Sequence, residues 1–200
     1  MTSRRTLFRS SLFRSSLVRS SLVFATLLIL LTRPAFADNA SVRFTTTVGV
    51  IDVVLYADQA PETVANFLQL VDEGFYNGLI FHRVVAGFVI QAGGYDAKMV
   101  SRESTRTVVN ESKVGLGNRK GTLAMARTDD PDSADSQFFI NAQDNLNLNA
   151  KPGMPGYAVF GEVVAGMDVV EQIELTPVAT VDGMQGVPVT PVVIEKAERI

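Results

Sequence analysis

Between residues 41 and 56 apolar and polar positions alternate, with Val42 and Phe44 set against polar neighbours and a second run, Val50-Ile51-Asp52-Val53-Val54-Leu55-Tyr56, after Val48-Gly49. Period two with a glycine at the break predicts a β-hairpin turning near 47–49. The rhythm then lengthens. Val64, Phe67, Leu68 and Val71 fall at i, i+3, i+4 and i+7. Pro61 and Glu62 stand in the first turn and Gly74 follows the end, so 61–73 is predicted to be an amphipathic helix buried along one face.

After a turn at 75–78 comes FHRVVAGFVIQAGG at 81–94, a β-like stretch with Arg83 and Gln91 at the edges of an apolar run. If the strand were unbroken, positions 83, 89 and 91 would share a face, although Ala86-Gly87 favours a bend. Residues 95–119 are polar and aperiodic and predict a long surface excursion with one short strand at 107–109. Leu123-Ala124-Met125-Ala126 and Ser136-Gln137-Phe138-Phe139-Ile140 are short strands. Two adjacent aromatics on a strand face opposite sides, so one fills a core while the other is free to line a site. Residues 143–155 are rich in turn formers. Tyr157 to Phe160 is read as a strand, 166–173 as a short second helix and 187–197 as a final strand despite Pro188 and Pro191. Many short strands with two helices favour a closed antiparallel barrel, or a sandwich, with helices over the open ends.

The first 37 residues stand apart. They hold six arginines and no acidic residue, an apolar block at 22–31 broken only by Thr26, and then Ala35-Phe36-Ala37. A basic start, a block of about ten apolar residues and an A-x-A end form a secretory signal peptide, and 1–37 is expected to be one, cut after Ala37. The block is too short to span a membrane, which needs about twenty apolar residues. An arginine- and serine-rich leader also fits an organellar transit peptide, and Ser3-Arg4-Arg5 hints weakly at twin-arginine export. The domain is then 38–200. Without the leader, 12 basic residues face 21 acidic ones, a net charge near −9. That excess argues against a nucleic-acid partner. With no cysteine and one histidine, the domain has no disulfide framework, no thiolate metal site and no histidine-rich one, and its stability rests on its core.

Other candidate motifs fail on spacing. Residues 115–122 read G-L-G-N-R-K-G-T, which has Lys-Gly-Thr where a nucleotide loop needs Gly-Lys-Ser/Thr. The carboxylates at 129–135 lack the order and closing glutamate of a calcium loop, so a solvated loop is expected. A hydrolase built on His82 would need a partnered serine motif, and none is present.

Four stretches then agree: 81–94 as above, GTLAMA at 121–126, SQFFI at 136–140 and GYAVFG at 156–161. Together, and in this order, they make the chain resemble a cyclophilin-type peptidyl-prolyl cis-trans isomerase from about residue 42 to 200, similar to the bacterial exported branch. The resemblance implies a mainly β fold, an eight-stranded closed antiparallel barrel capped by two α-helices. It implies Arg83 as the catalytic arginine and Gln91 as the glutamine holding the substrate backbone. Phe88, Val89, Phe139 and Leu148 match the proline pocket, Ala126 and Arg127 the segment pairing with the peptide, and Tyr157 a place where many members carry histidine. Arg127 replaces a frequent asparagine at a position that works mainly through its backbone. Asn147 falls where members that bind cyclosporin tightly have tryptophan, which implies weak inhibition.

The implied activity is rotation about X–Pro bonds in proline-containing or unfolded segments, assisting the folding of exported proteins. It requires no metal and no cofactor. The implied protein acts as a monomer, in the periplasm or alternatively an organellar lumen, without staying in the membrane once the leader is cut. A non-catalytic peptide-binding or chaperone-like module is the alternative. The residue types suit the chemistry: rotation breaks amide resonance, the proline nitrogen becomes pyramidal, and a guanidinium aimed at it makes a hydrogen bond present mainly in the twisted state. Arginine suits this because it is always charged and presents a rigid fork of donors. His82 is read as structural.

Overall fold

The computed structural model describes residues 40–112 and 116–200. The leader expected over 1–37 lies outside them. The alternating pattern becomes β1 (Ser41–Thr46) and β2 (Gly49–Leu55), paired from Ser41↔Val54 to Thr46↔Gly49. The 3.6-residue pattern becomes α1 (Pro61–Asp72), one residue shorter than expected. Then follow β3 (Leu79–Val85), β4 (Val89–Asp96), β5 (Thr122–Met125), β6 (Phe138–Asn141), β7 (Val159–Ala165), α2 (Met167–Glu174), β8 (Val178–Val181), β9 (Met184–Pro188) and β10 (Ile194–Arg199).

Eight of these strands form one antiparallel sheet in the order β10-β1-β2-β7-β5-β6-β4-β3. Its two edges, β10 and β3, meet along a short seam: Gly78 N–H donates to the Ile194 carbonyl at 2.8 Å and Phe81 N–H to the Val192 carbonyl at 3.0 Å. The result is a nearly closed barrel with two helices. Its interior is filled rather than hollow. Phe67 of α1 lies among Phe44, Tyr76, Phe138 and Phe160, with ring centroids 5.0 to 6.2 Å away. Val170 and Ile173 of α2 are buried in the same core. Gly166 starts α2 with φ +86, and a Cβ there would stand 2.2 Å from the Val50 carbonyl oxygen, so only glycine brings the helix this close to β2.

Three expectations change. The single final strand over 187–197 is two strands. Pro188 and Pro191 have no N–H to give a ladder, so β9 ends at the first and β10 begins after the second. β9 instead pairs with β8 in a separate two-stranded hairpin turning at Asp182-Gly183, both with positive φ. The expected strand at 107–109 shrinks to a single bridge, Val108↔Ala134. Tyr157 and Ala158 precede β7 rather than open it. The excursion itself is stapled to α1 and the turn that follows it: Arg102 donates to the Phe75 carbonyl at 2.7 Å, Arg106 pairs with Glu73 at 2.8 Å, and Glu111 accepts from the backbone of Glu62 and Thr63. No helix among the described residues is long and apolar enough to cross a membrane.

Candidate functional site

The bend expected at Ala86-Gly87 folds β3 back on β4, and this sets the site. Across the sheet Arg83 stands opposite Gln91, Gln91 opposite Phe139, and Phe139 opposite Ala124. The adjoining row, Val84, Ile90, Ile140 and Leu123, is buried in the main core. Because neighbouring positions on a strand face opposite ways, the first row points to the outer side of the barrel wall. There Val89, Ala124, Phe139 and Val159 form a second, smaller apolar cluster, with Phe88, Ala126, Leu148 and Tyr157 packed on it.

All nine residues singled out from the sequence, Arg83, Phe88, Val89, Gln91, Ala126, Arg127, Phe139, Leu148 and Tyr157, line one open cleft of about 560 Å³. Two guanidinium groups and no carboxylate face it. Among the described residues the Arg83 guanidinium has no salt-bridge partner, whereas the arginines at 43, 106 and 199 are each paired. Gln91 is fixed by a neighbour: its Nε2 donates to Gln137 Oε1 at 3.0 Å. Gln137 was not among the residues selected from the sequence. The signal for it was available, since it stands two positions before Phe139 and so on the same strand face. Gln137 also lines an adjoining cleft of about 780 Å³, which shares Gln91, Ala126 and Arg127 with the first.

Loops complete the walls. Phe139 and Tyr157 meet edge to face with centroids 5.6 Å apart. Tyr157 N–H donates to the Leu148 carbonyl at 2.9 Å, holding the two side by side. Gly156 makes that approach feasible, because a Cβ there would lie 2.5 Å from the Leu148 oxygen and 2.3 Å from the Ala150 nitrogen. The Arg127 side chain does more than expected. It donates to the carbonyls of Thr128 and Pro155 at 2.8 and 3.1 Å and stacks over the Tyr157 ring at 4.7 Å.

His82 lies away from the cleft, 2% exposed, with its ring 4.8 Å from that of Tyr95. Burial pushes its pKa down to about 4, which keeps it neutral near pH 7. Asn147 is exposed beside Leu148 and does not line the cleft. The carboxylates at 129–135 act as local caps and staples. Asp130 accepts from the Asp132 N–H at 3.0 Å, and Asp132 accepts from the Asn110 N–H at 2.7 Å. Among the described residues no group of three histidine or acidic side chains is placed to hold a metal ion.

Comparison with known proteins agrees with this geometry. The family described as "Cyclophilin type peptidyl-prolyl cis-trans isomerase/CLD" matches residues 41–199. A peptidyl-prolyl cis-trans isomerase of Acinetobacter baylyi is 48% identical over 166 residues, covering 83% of this chain and 88% of its own. Peptidyl-prolyl cis-trans isomerase A of Dickeya dadantii is 46% identical, with 84% and 89% covered. Peptidyl-prolyl cis-trans isomerase B of Escherichia coli is 48% identical, with 77% and 96% covered. Among solved structures, a cyclophilin-type isomerase of Cryptosporidium parvum superposes with a TM-score of 0.68 at 26% identity, covering 81% of this chain and 98% of its own. A family match across nearly the whole barrel, with relatives near 50% identity, means that this chain belongs to the cyclophilin-type peptidyl-prolyl cis-trans isomerases and catalyses rotation about X–Pro bonds.

Proposed function

We infer that the 560 Å³ cleft is the site of that rotation, with Arg83 as the catalytic residue and Gln91 as the anchor of the substrate backbone. The observation that carries this reading is an arginine with no ion-pair partner among the described residues, lining the same cleft as the apolar side chains of Phe88, Phe139 and Leu148. An X–Pro bond rotates slowly behind a barrier of about 18 to 20 kcal/mol, because conjugation holds the nitrogen planar. Holding the proline ring against the apolar wall and one flank against Gln91 leaves the other flank to turn. As conjugation is lost the nitrogen gains a lone pair, and the Arg83 guanidinium donates to it. That hydrogen bond exists mainly in the twisted state, so it lowers the barrier rather than merely tightening binding. Gln137 fixes the Gln91 amide and is its positioning partner. Ala126 and Arg127 flank the peptide, and Val89 and Tyr157 complete the wall. The related Cryptosporidium parvum isomerase, 28% identical with a TM-score of 0.65, has been solved in the presence of the dipeptide Ala-Pro, a substrate fragment of the class proposed here.

The cell biology follows from the leader. A basic, acid-free start, an apolar block and Ala35-Phe36-Ala37 support export of 38–200 to the periplasm, where the enzyme acts on proline-containing segments of exported proteins as they fold. The mature enzyme is proposed to act as a monomer.

A protease-coupled assay on a Suc-Ala-X-Pro-Phe type peptide tests the site. Arg83→Ala is expected to lower kcat/KM by roughly 10² to 10³, the usual cost of removing one donor to a transition state. Full activity in that variant would overturn the mechanism.

A further inference from the structure

Four of the nine cleft residues, Arg83, Val89, Gln91 and Phe139, lie on strands, and Ala126 and Arg127 follow β5, but Phe88 and Tyr157 lie on connecting segments and Leu148 on a single 3-10 turn. Beneath these three runs a web of asparagines. Asn118, Asn141 and Asn145 are 0, 0 and 2% exposed, unusual burial for amides. Asn145 Nδ2 donates to the Phe88 carbonyl at 2.9 Å and to Asn141 Oδ1 at 2.8 Å. Asn141 Nδ2 donates to Thr122 Oγ1 at 2.9 Å and to Asn118 Oδ1 at 3.2 Å. Asn118 Nδ2 donates to Asn149 Oδ1 at 3.1 Å and to the Tyr157 carbonyl at 3.4 Å. The chain of amides therefore begins at one cleft wall and ends at another. Both ends are backbone carbonyls, which only accept, so every amide between them is fixed in orientation. Leu148 hangs from the same web, its N–H donating to the Asn145 carbonyl at 2.9 Å.

We propose that Asn145, acting through Asn141 and Asn118, is a positioning residue of the isomerase that sets the spacing of the Phe88, Leu148 and Tyr157 walls and hence the grip on the proline ring. This rests on the reading of the cleft given above. The Phe88 carbonyl also accepts from the Ala142 N–H at 2.9 Å, so loss of Asn145 frees the wall without releasing the turn altogether. Buried polar webs of this kind hold one geometry as long as every member is satisfied. Wall spacing affects the ground state and the twisted state alike, because both hold the ring, whereas Arg83 acts on the twisted state alone. Removing such uniform binding raises KM and leaves kcat in place.

The test compares Asn145→Asp, near-isosteric but without donors, and Asn145→Ser with the parent and with Val170→Ala, a core change in α2 away from the cleft. Each is assayed well below its own Tm. Both Asn145 variants are expected to raise KM for the proline peptide by at least fivefold with kcat within twofold of the parent. Val170→Ala is expected to lose Tm but keep both constants. If Asn145→Asp does not fold, Asn145→Ser carries the test alone. Parental KM in the folded Asn145 variants overturns the proposal, and would mean that the web serves stability only. Arg83→Ala with parental kcat would instead overturn the cleft reading, and this proposal with it.

Discussion

Burial of the single imidazole has a consequence that can be measured. His82 Nδ1 has no hydrogen-bond partner among the described residues, and burial pushes the pKa from 6.5 to about 4. The unfolded chain takes up a proton near pH 6.5 that the folded chain refuses until about pH 4. Stability from His82 is therefore complete above pH 6.5 and is lost as pH falls towards 4, by roughly 3 kcal/mol in all. The carboxylates of Asp52, Asp96 and Glu73 are held below their usual range by Arg43, by the Val100 and Lys98 amides and by Arg106 respectively, so their losses come at lower pH. Denaturant midpoints between pH 7.5 and 4.5 are expected to fall steeply for the parent and to stay nearly level for His82→Gln. Equal slopes would show that His82 is not the group responsible. A second single-residue prediction concerns Asn147. Exposed and outside the cleft lining, it offers no aromatic face to a cyclosporin ring, so inhibition is expected to be weak, and nanomolar inhibition would refute this.

At the scale of elements, α1 is the informative case. Ala60 provides no side-chain cap, so the first amides of the helix would be unsatisfied. Glu111, 49 residues from Glu62, supplies the acceptors: Oε1 takes the Glu62 N–H at 3.2 Å and Oε2 the Thr63 N–H at 2.8 Å. Glu111→Ala is expected to cost about 1 kcal/mol, the usual worth of an N-cap, with kcat/KM unchanged because Glu111 does not reach the cleft. An unchanged unfolding midpoint would count against the cap. The helix itself was legible from Val64, Phe67 and Val71, yet its cap was not, because no local spacing points to position 111. The same distinction divides the site. Arg83 and Gln91 stand out as the polar edges of one apolar stretch, period two puts either Phe138 or Phe139 at a site, and Gln137 shares a face with Phe139 by the same rule. The choice of Phe139 over Phe138, and the placing of Leu148 and Tyr157, came only through family resemblance. The asparagines beneath them look like ordinary turn formers until the fold brings 118, 141 and 145 together. The β8–β9 hairpin, by contrast, is encoded locally: Asp182-Gly183 between Val181 and Met184 is a strong hairpin dipeptide.

For the whole molecule, the leader proposed over 1–37 makes a prediction that depends on neither Arg83 nor the asparagine web. Among the described residues the main core runs from Val42 to Ala197 and the cleft lies within that span, and the family match begins at 41. No cysteine ties the domain to anything upstream, and none is needed within it, since about 160 residues can bury a sufficient core. The chain from 38 to 200 is therefore expected to fold alone and to isomerise proline peptides with a kcat/KM within twofold of any form carrying the leader. Its unfolding midpoint should be indifferent to reductant. If export is the leader's role, the exported form should begin at Asp38, which N-terminal sequencing reads directly. A mature start elsewhere would move the cleavage site, and an exported form still beginning at Met1 would refute cleavage. Because loss of residues 1–37, with their six arginines, would take the chain from −3 to near −9, the proposed cleavage should also appear as a large acidic shift on isoelectric focusing, measurable without sequencing and independent of activity.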